Sequence, residues 1–185
     1  MHLLLLSGST RSGSVNTAVL RTAAVAAGPR VTTDLFDGLV GLPAFDPDRD
    51  VDPLPGPVAG LRARIGAADA LLICTPEYAG GMPGAFKNLL DWTVGGMEIH
   101  GRPVAWVNAA SVAAPTGASG THAGLAAFLG YVGAAVADAA CARVPLGRAD
   151  IDDDGLVADP AAREAIGVAV RALCEAAIPS EAGDR

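Results

Sequence analysis

This sequence is short of aromatic residues and lysine, and each shortage limits what the protein can be. Aromatic side chains make up 4% of the 185 residues, so the core must be built from alanine, valine and leucine. Lysine occurs once, at Lys87, and 13 basic residues against 20 acidic ones leave a net charge of −7. A surface of this sign repels nucleic acid and anionic membranes, so we expect neither as a partner.

Cysteine and histidine are also scarce, which argues against disulfides and metal sites. The three cysteines are an odd number at wide spacing, and the three histidines have no partner at ligand spacing. The acidic run 150–155 matches only the first half of an EF-hand loop, because alanine occupies its twelfth position. We therefore expect no bound metal.

The chain also lacks long hydrophobic runs. No segment approaches the ~20 apolar residues of a membrane span. The chain opens on an apolar run at Leu3, without the basic segment and longer apolar stretch of a secretory signal. We expect a protein of the cytoplasm.

Short apolar segments alternate with helical patterns from end to end. Segments typical of strands are Leu3–Leu6, Val31–Phe36, Ala70–Thr75, Val104–Ala109 and Val136–Val144. Helical periodicity covers Val15–Ala27, Gly56–Ala67, Pro83–Thr93 and Thr121–Gly133, and a fifth helix begins at Asp159-Pro160. Five such units predict a three-layer α/β fold with a five-stranded parallel sheet in the flavodoxin-like order 2-1-3-4-5. We expect a single domain over residues 1–185, with a frayed tail from about residue 179.

The loop after the first predicted strand has the composition of an anion site. Residues 8–17 read GSTRSGSVNT, with several hydroxyls, two glycines and one arginine at the start of a helix. The free N–H groups and the dipole of a helix N-terminus attract anions. The segment lacks both the GxxxxGK[ST] and the GxGxxG spacing, so a phosphomonoester fits better than a triphosphate or a pyrophosphate. The alternative is an ordinary βα turn with a capping serine.

The loop after the third predicted strand has an unusual backbone. Residues 75–84 read TPEYAGGMPG and lead into AFKNLLDW, and their prolines and glycines restrict the chain path. A structural turn that starts a helix is the alternative. The loop after the fourth strand, SVAAPTGASG at residues 111–120, contains a serine but no GxSxG elbow.

Together, GSTRSGSVN and PEYAGGMPGAFKNLLDW resemble the paired signatures of the NAD(P)H-dependent FMN reductase family of flavodoxin-like proteins. That family includes quinone, azo-dye and chromate reductases. The likeness extends over nearly the whole chain, including LPAFDPD at residues 42–48 and the acidic turn DDDGL at residues 152–156. The loop at residues 111–120 departs from the family pattern, because it is longer and lacks a Gly-Gly pair.

The resemblance implies that FMN is the cofactor. It implies that the phosphate is held by Ser9, Arg11, Ser14, Asn16 and Thr17. The residues implied to border the ring are Pro76, Glu77, Tyr78, Ala79 and Gly80, with further contacts from Ser111 and Gly117.

The resemblance also implies an activity and an assembly. Hydride would pass from NADPH or NADH through bound FMN to a small acceptor by a ping-pong mechanism, with no residue acting as catalytic acid, base or nucleophile. The acceptor would be a quinone, an azo compound, a metal oxyanion or free flavin. We expect a homodimer or homotetramer, with Phe86–Thr93 and Pro43–Pro57 as candidate contact segments.

Other interpretations stay open at this point. One is a flavin-binding electron carrier or sensor without nicotinamide turnover, although the first loop lacks the Thr-x-Thr-x-Asn-Thr character of flavodoxins. Another is a non-redox phosphosugar or nucleotide enzyme, which the lack of convergent carboxylates and histidines disfavours. Glu77 and Tyr78 could also act as an acid/base pair instead of bordering the ring.

Overall fold

The sheet lies in the middle of the molecule, and both of its faces are covered by helices. The computed structural model describes residues 1–178, so the predicted frayed tail lies outside the described residues. The strands are β1 (His2–Ser7), β2 (Thr32–Phe36), β3 (Ala70–Cys74), β4 (Pro103–Asn108), β5 (Ala135–Val136) and β6 (Ala142–Arg143). The helices are α1 (Val15–Ala27), α2 (Gly56–Ala67), α3 (Gly84–Asp91), α4 (Ser119–Tyr131) and α5 (Pro160–Ala176). The parallel strand order β2-β1-β3-β4-β5 confirms the predicted fold class.

Two apolar layers hold the helices on the sheet. On one face α1 and α5 pack on the sheet through residues such as Leu20 and Leu173. On the other face α2, α3 and α4 pack through residues such as Leu61, Leu89 and Leu125. Because β1 and β3 are covered on both faces, their side chains are apolar at nearly every position, with no polar alternation.

The predicted fifth strand, Val136–Val144, is wrong as a continuous element. β5 and β6 both pair with β4, in the register Val104↔Val136 and Val107↔Ala142. Between these two pairs β4 advances by three residues, whereas the paired segment advances by six. The three extra residues form a short 3-10 turn at Asp138–Ala140. Alanine and aspartate have low strand propensity, so this stretch does not sustain a ladder.

The proline-rich segment after β2 packs against α3. The side chain of Asn88 donates to the carbonyl of Pro43 at 2.9 Å and accepts from the amide of Phe45 at 2.7 Å. The indole of Trp92 donates to the same carbonyl at 2.8 Å, and the ring of Phe45 meets it edge-on at 5.0 Å. The two segments predicted as subunit contacts thus contact each other within one chain. No helix in residues 1–178 has the length and apolar character to span a membrane.

Candidate functional site

The loops after β1 and β3 touch at the carboxyl edge of the sheet. The amide of Gly8 donates to the carbonyl of Cys74 at 3.0 Å. A Cβ at Gly8 would lie 2.0 Å from the hydroxyl oxygen of Thr75, so only glycine allows the two loops to approach so closely. This contact fixes the loop after β1, which we call the first loop, relative to the loop after β3, which we call the second loop.

A cavity of about 290 Å³ opens between these loops, and we call it the anion cavity. Its lining residues come from three loops and the first turn of α1, and they are Ser9, Arg11, Gly13, Ser14, Val15, Asn16, Pro76, Tyr78, Gly147 and Arg148. None of these side chains is acidic, although the chain as a whole carries a charge of −7. Two arginines therefore face a space that offers them no carboxylate.

The first turn of α1 supplies hydrogen-bond donors to the anion cavity. Ser14 is the N-cap in an extended conformation, and its side chain makes no capping hydrogen bond. The first amide of the helix with an acceptor in the described structure is that of Ala18, which donates to the carbonyl of Ser14 at 2.9 Å. The amides of residues 15–17 are thus without a protein acceptor, as at the anion-binding N-termini of other helices.

The side chain of Asn16 is oriented from below by Cys74. The thiol donates to the amide oxygen of Asn16 at 3.3 Å. Burial raises the pKa of the Cys74 thiol far above its usual value, so the thiol keeps the proton that it donates. The NH₂ group of Asn16 is left as its remaining donor.

Arg148 is the functional candidate that the sequence reasoning missed. It follows β6, and its turn is held by the carboxylate of Asp150, which accepts from the amide of Gly147 at 2.7 Å. The available signal was its place just after the last strand, since the loop there must also lie at the carboxyl edge. Within residues 1–178, neither Arg11 nor Arg148 forms an ion pair.

A second cavity of about 240 Å³, the ring cavity, lies between the loops after β3 and β4. It is lined mainly by small or apolar residues, namely Asn16, Thr75, Pro76, Glu77, Ala109, Ala110, Ala114, Pro115, Thr116 and Ala118. It shares Asn16 and Pro76 with the anion cavity, so the two spaces are neighbours. One ligand with an anionic end and a flat apolar end could occupy both.

Glu77 connects the second loop to the start of α4. Its carboxylate accepts from the hydroxyl of Thr116 and from the amide of Thr121, the latter at 3.0 Å. These hydrogen bonds hold the pKa of Glu77 below its ordinary value. The group is therefore ionised at neutral pH and is not a proton donor.

The same contact brings two backbone segments unusually close. A Cβ at Gly120 would lie 2.0 Å from the carbonyl oxygen of Gly80. Ala79 and Ala118, beside this contact, have φ angles of 51° and 62°, in the left-handed region that alanine rarely adopts. Strained backbone of this kind is frequent at ligand sites, where the surrounding structure maintains it.

The two cavities bring together some of the predicted site residues. The anion cavity is lined by Ser9, Arg11, Ser14, Asn16, Pro76 and Tyr78, and the ring cavity by Asn16, Pro76 and Glu77. The predicted residues that line neither are Thr17, Ala79, Gly80, Ser111 and Gly117. Their roles, and those of the lining residues, stay predictions.

Three of the residues outside these two cavities have polar groups engaged nearby. The hydroxyl of Thr17 is hydrogen-bonded to that of Ser7 at 2.9 Å, beneath the first loop. The hydroxyl of Ser111 accepts from the amide of Ala113 at 3.3 Å, and the carbonyl of Gly117 accepts from the side chain of Asn108 at 2.8 Å. In the described part of the chain, no group of three or more histidine, cysteine, aspartate or glutamate residues could hold a metal ion.

Comparison with known proteins gives one family and several relatives. The sequence profile of the NADPH-dependent FMN reductase family matches residues 1–146. The chain is similar to an NAD(P)H-dependent FMN reductase of Pseudomonas aeruginosa, with 38% identity over 113 residues and 60% of each chain covered. It is also similar to a quinone reductase of Escherichia coli K12, with 32% identity over 107 residues, which are 56% of this chain and 57% of that one.

A solved structure resembles the whole fold. The flavoenzyme NAD(P)H:(acceptor) oxidoreductase of Paracoccus denitrificans has a TM-score of 0.80 and 27% identity, with 94% of this chain and 95% of that chain covered. The chain spans about 60% of the length of the curated relatives that it matches.

Proposed function

Because this chain belongs to the NADPH-dependent FMN reductase family, we propose that it binds FMN and reduces a small electron acceptor with NADPH or NADH. The observation that carries this proposal is the anion cavity. Free helix amides, hydroxyls and two arginines that form no ion pair within residues 1–178 converge there without a competing carboxylate. This donor set suits a phosphate dianion.

The two cavities would bind different parts of the cofactor. Ser9, Arg11, Ser14 and Asn16 would hold the phosphate, and Arg148 would add a second cation from the loop after β6. The small and apolar residues of the ring cavity, such as Pro76 and Ala110, would contact the ring. When bound, FMN supplies the redox chemistry, since it can take a hydride from a nicotinamide and pass electrons to an acceptor.

The side chains around the ring cavity bind and position, and the carboxylate among them, that of Glu77, is engaged in hydrogen bonds. Both carboxylate oxygens of Glu77 are occupied by Thr116 and Thr121, which keeps the loop after β4 against the second loop. Tyr78 is 58% exposed at the mouth of the anion cavity and stays open to solvent.

The names of the relatives support a proposal for the class of acceptor. Relatives carry the names quinone reductase and NADPH azoreductase. We propose that a quinone or an azo compound is the acceptor, with free flavin and metal oxyanions as further candidates that need the same open site.

We also propose a homo-oligomer and a cytoplasmic location. The exposed positions of α4 include Ala123, Ala126, Ala127, Gly130 and Tyr131, and the helix contains no lysine, arginine, aspartate or glutamate. Such a face is typical of helices that are covered by a partner. A monomer in sedimentation at micromolar concentration would contradict this assembly. The cytoplasmic location is supported by the free thiols at positions 74, 141 and 174.

Two measurements test the redox function. Purified protein mixed with FMN should retain flavin absorbance after gel filtration, and anaerobic NADPH or NADH should bleach it. Reoxidation by benzoquinone, an azo dye, chromate or free FMN then ranks the acceptors. A protein that retains flavin but is not bleached by either nicotinamide would be a carrier or sensor, and colourless protein would refute flavin binding.

A further inference from the structure

We propose that a third cavity, beside the first loop, binds the 2′-phosphorylated adenosine end of NADPH, and that Arg21 makes the chain prefer NADPH to NADH. This inference rests on the proposed function, because it concerns the reductant of that same reaction. The cavity has a volume of about 360 Å³ and lies between the loops after β1 and β2. We call it the adenosine cavity.

One wall of the adenosine cavity is polar and positively charged. It carries hydroxyl residues of the first loop and of α1, together with Arg11 and Arg21, and the guanidinium of Arg21 also lies beside Gly155. Arg21 lies one helical turn after Thr17 on α1, so both side chains face the same side. Neither arginine forms an ion pair in the part of the chain that the structure describes.

The opposite wall is apolar and partly open to solvent. It is formed by Leu35, Phe36, Leu39 and Val40, at the end of β2 and in the turn that follows. Val40 is 75% exposed, so it leaves apolar surface uncovered at the cavity mouth. A nucleoside needs this combination, in which an apolar surface receives the base and nearby donors receive phosphate oxygens.

Asp37 is the acidic side chain of this cavity, and its position needs an explanation. An acidic residue at the end of a second strand accepts a ribose hydroxyl in dinucleotide sites that use NADH. Here one oxygen of the Asp37 carboxylate accepts from Arg64 at 3.1 Å, which lowers the pKa of Asp37 and offsets part of its charge. The two arginines on the other wall, which have no ion-pair partner in the described part of the chain, outnumber it, so the cavity suits a phosphate better than a hydroxyl.

The adenosine cavity suits the phosphate of FMN less well than the anion cavity does. The adenosine cavity shares Ser9 and Arg11 with the anion cavity, but it lacks Val15 and Asn16 from the free first turn of α1. The ring, anion and adenosine cavities thus follow one another along the carboxyl edge. Of these three cavities Arg21 lines only the adenosine cavity, and it also borders a smaller space between the first loop and Gly155.

Fragment binding tests the proposal without turnover. The probes are 2′,5′-ADP and 5′-ADP, which carry the same number of phosphates but differ in the 2′-phosphate. Each is titrated by calorimetry into the protein with and without added FMN. The wild type should bind 2′,5′-ADP about tenfold more tightly, as expected for one charge-assisted contact. Arg21→Gln should remove this preference and leave FMN affinity unchanged. Arg30→Gln is the matched control, because Arg30 is exposed at the opposite edge of the sheet and should keep the preference.

Each other outcome has a defined meaning. Equal affinity for the two probes, a preference for 5′-ADP, or a preference that survives Arg21→Gln would overturn the proposal. Displacement of 2′,5′-ADP by FMN would also overturn it, because the cavity would then be part of the FMN site. If the chain binds 2′,5′-ADP as described but does not bind FMN, the adenosine cavity stands and the proposed function fails.

Discussion

Replacing Arg148 by alanine should weaken FMN binding and leave riboflavin binding unchanged. Arg148 is exposed and forms no ion pair in residues 1–178, so its removal leaves no carboxylate without a partner. The whole effect should therefore come from a lost contact with the phosphate. A buried charge-assisted hydrogen bond contributes about 1.5–3 kcal/mol, and an exposed ion pair about 0.2–1 kcal/mol.

These values set the expected size of the effect. Because Arg148 is exposed, we expect Arg148→Ala to weaken FMN binding by about 1 kcal/mol, or roughly fivefold in Kd. Arg11 lies beside the free amides of α1 but is itself exposed, so Arg11→Ala should cost about 1.5 kcal/mol, or roughly tenfold. Independent contacts with different phosphate oxygens would make the two losses add in the double variant.

The assay is a fluorescence titration of FMN and of riboflavin, which lacks the phosphate, into each variant. Arg30→Ala is the control for the loss of one positive charge far from the site, and it should behave as the wild type. An equal loss of affinity for FMN and riboflavin would show that Arg148 shapes the fold of the site. Unchanged FMN affinity would remove Arg148 from it, and either result would refute the reasoning.

Three further predictions concern the contacts that hold the site together. Gly120→Ala should lower the free energy of unfolding by about 1–3 kcal/mol in urea denaturation and weaken FMN binding, because the added Cβ meets a carbonyl of the second loop. Gly130→Ala is the control on the same helix, and it should have neither effect because the space around Gly130 is open. Because hydrogen bonds lower the folded-state pKa of Glu77, its contribution to stability is full above about pH 4.5 and is lost as pH falls through that lower pKa. The unfolding free energies of the wild type and Glu77→Gln should therefore converge in acid, and a constant gap would contradict the assignment. Asp50→Asn should cost about 3 kcal/mol in urea denaturation, because it leaves the largely buried guanidinium of Arg62 without its carboxylate; a loss below about 0.5 kcal/mol would contradict this.

Much of the fold was predictable because its signals are local. The bounds of α1 and α2 agree with those expected from periodicity, and Asp159 caps α5 through a hydrogen bond from the amide of Ala162 at 2.8 Å. The split between β5 and β6 was not predictable in this way. It depends on the register with β4, which residues 136–144 alone do not reveal.

The candidate site was predictable in part for the same reason. The composition of residues 8–17 identified an anion-binding loop, because hydroxyls, glycines and a helix start lie together in the sequence. The composition around Arg148 and Arg21 gave no such signal, and for Arg148 the available cue was its place after the last strand. Each is an ordinary surface arginine until the sheet places its loop or helix beside the first loop.

The sequence by itself determined the parallel sheet, its layers and the loop that suits a phosphate, since periodicity, capping and turn chemistry act between residues a few positions apart. Tertiary structure alone decided which loops share a cavity, that Glu77 is engaged by Thr116 and Thr121, and which arginines remain unpaired. Those properties depend on side chains that are distant in the chain and meet only at the carboxyl edge of the folded sheet.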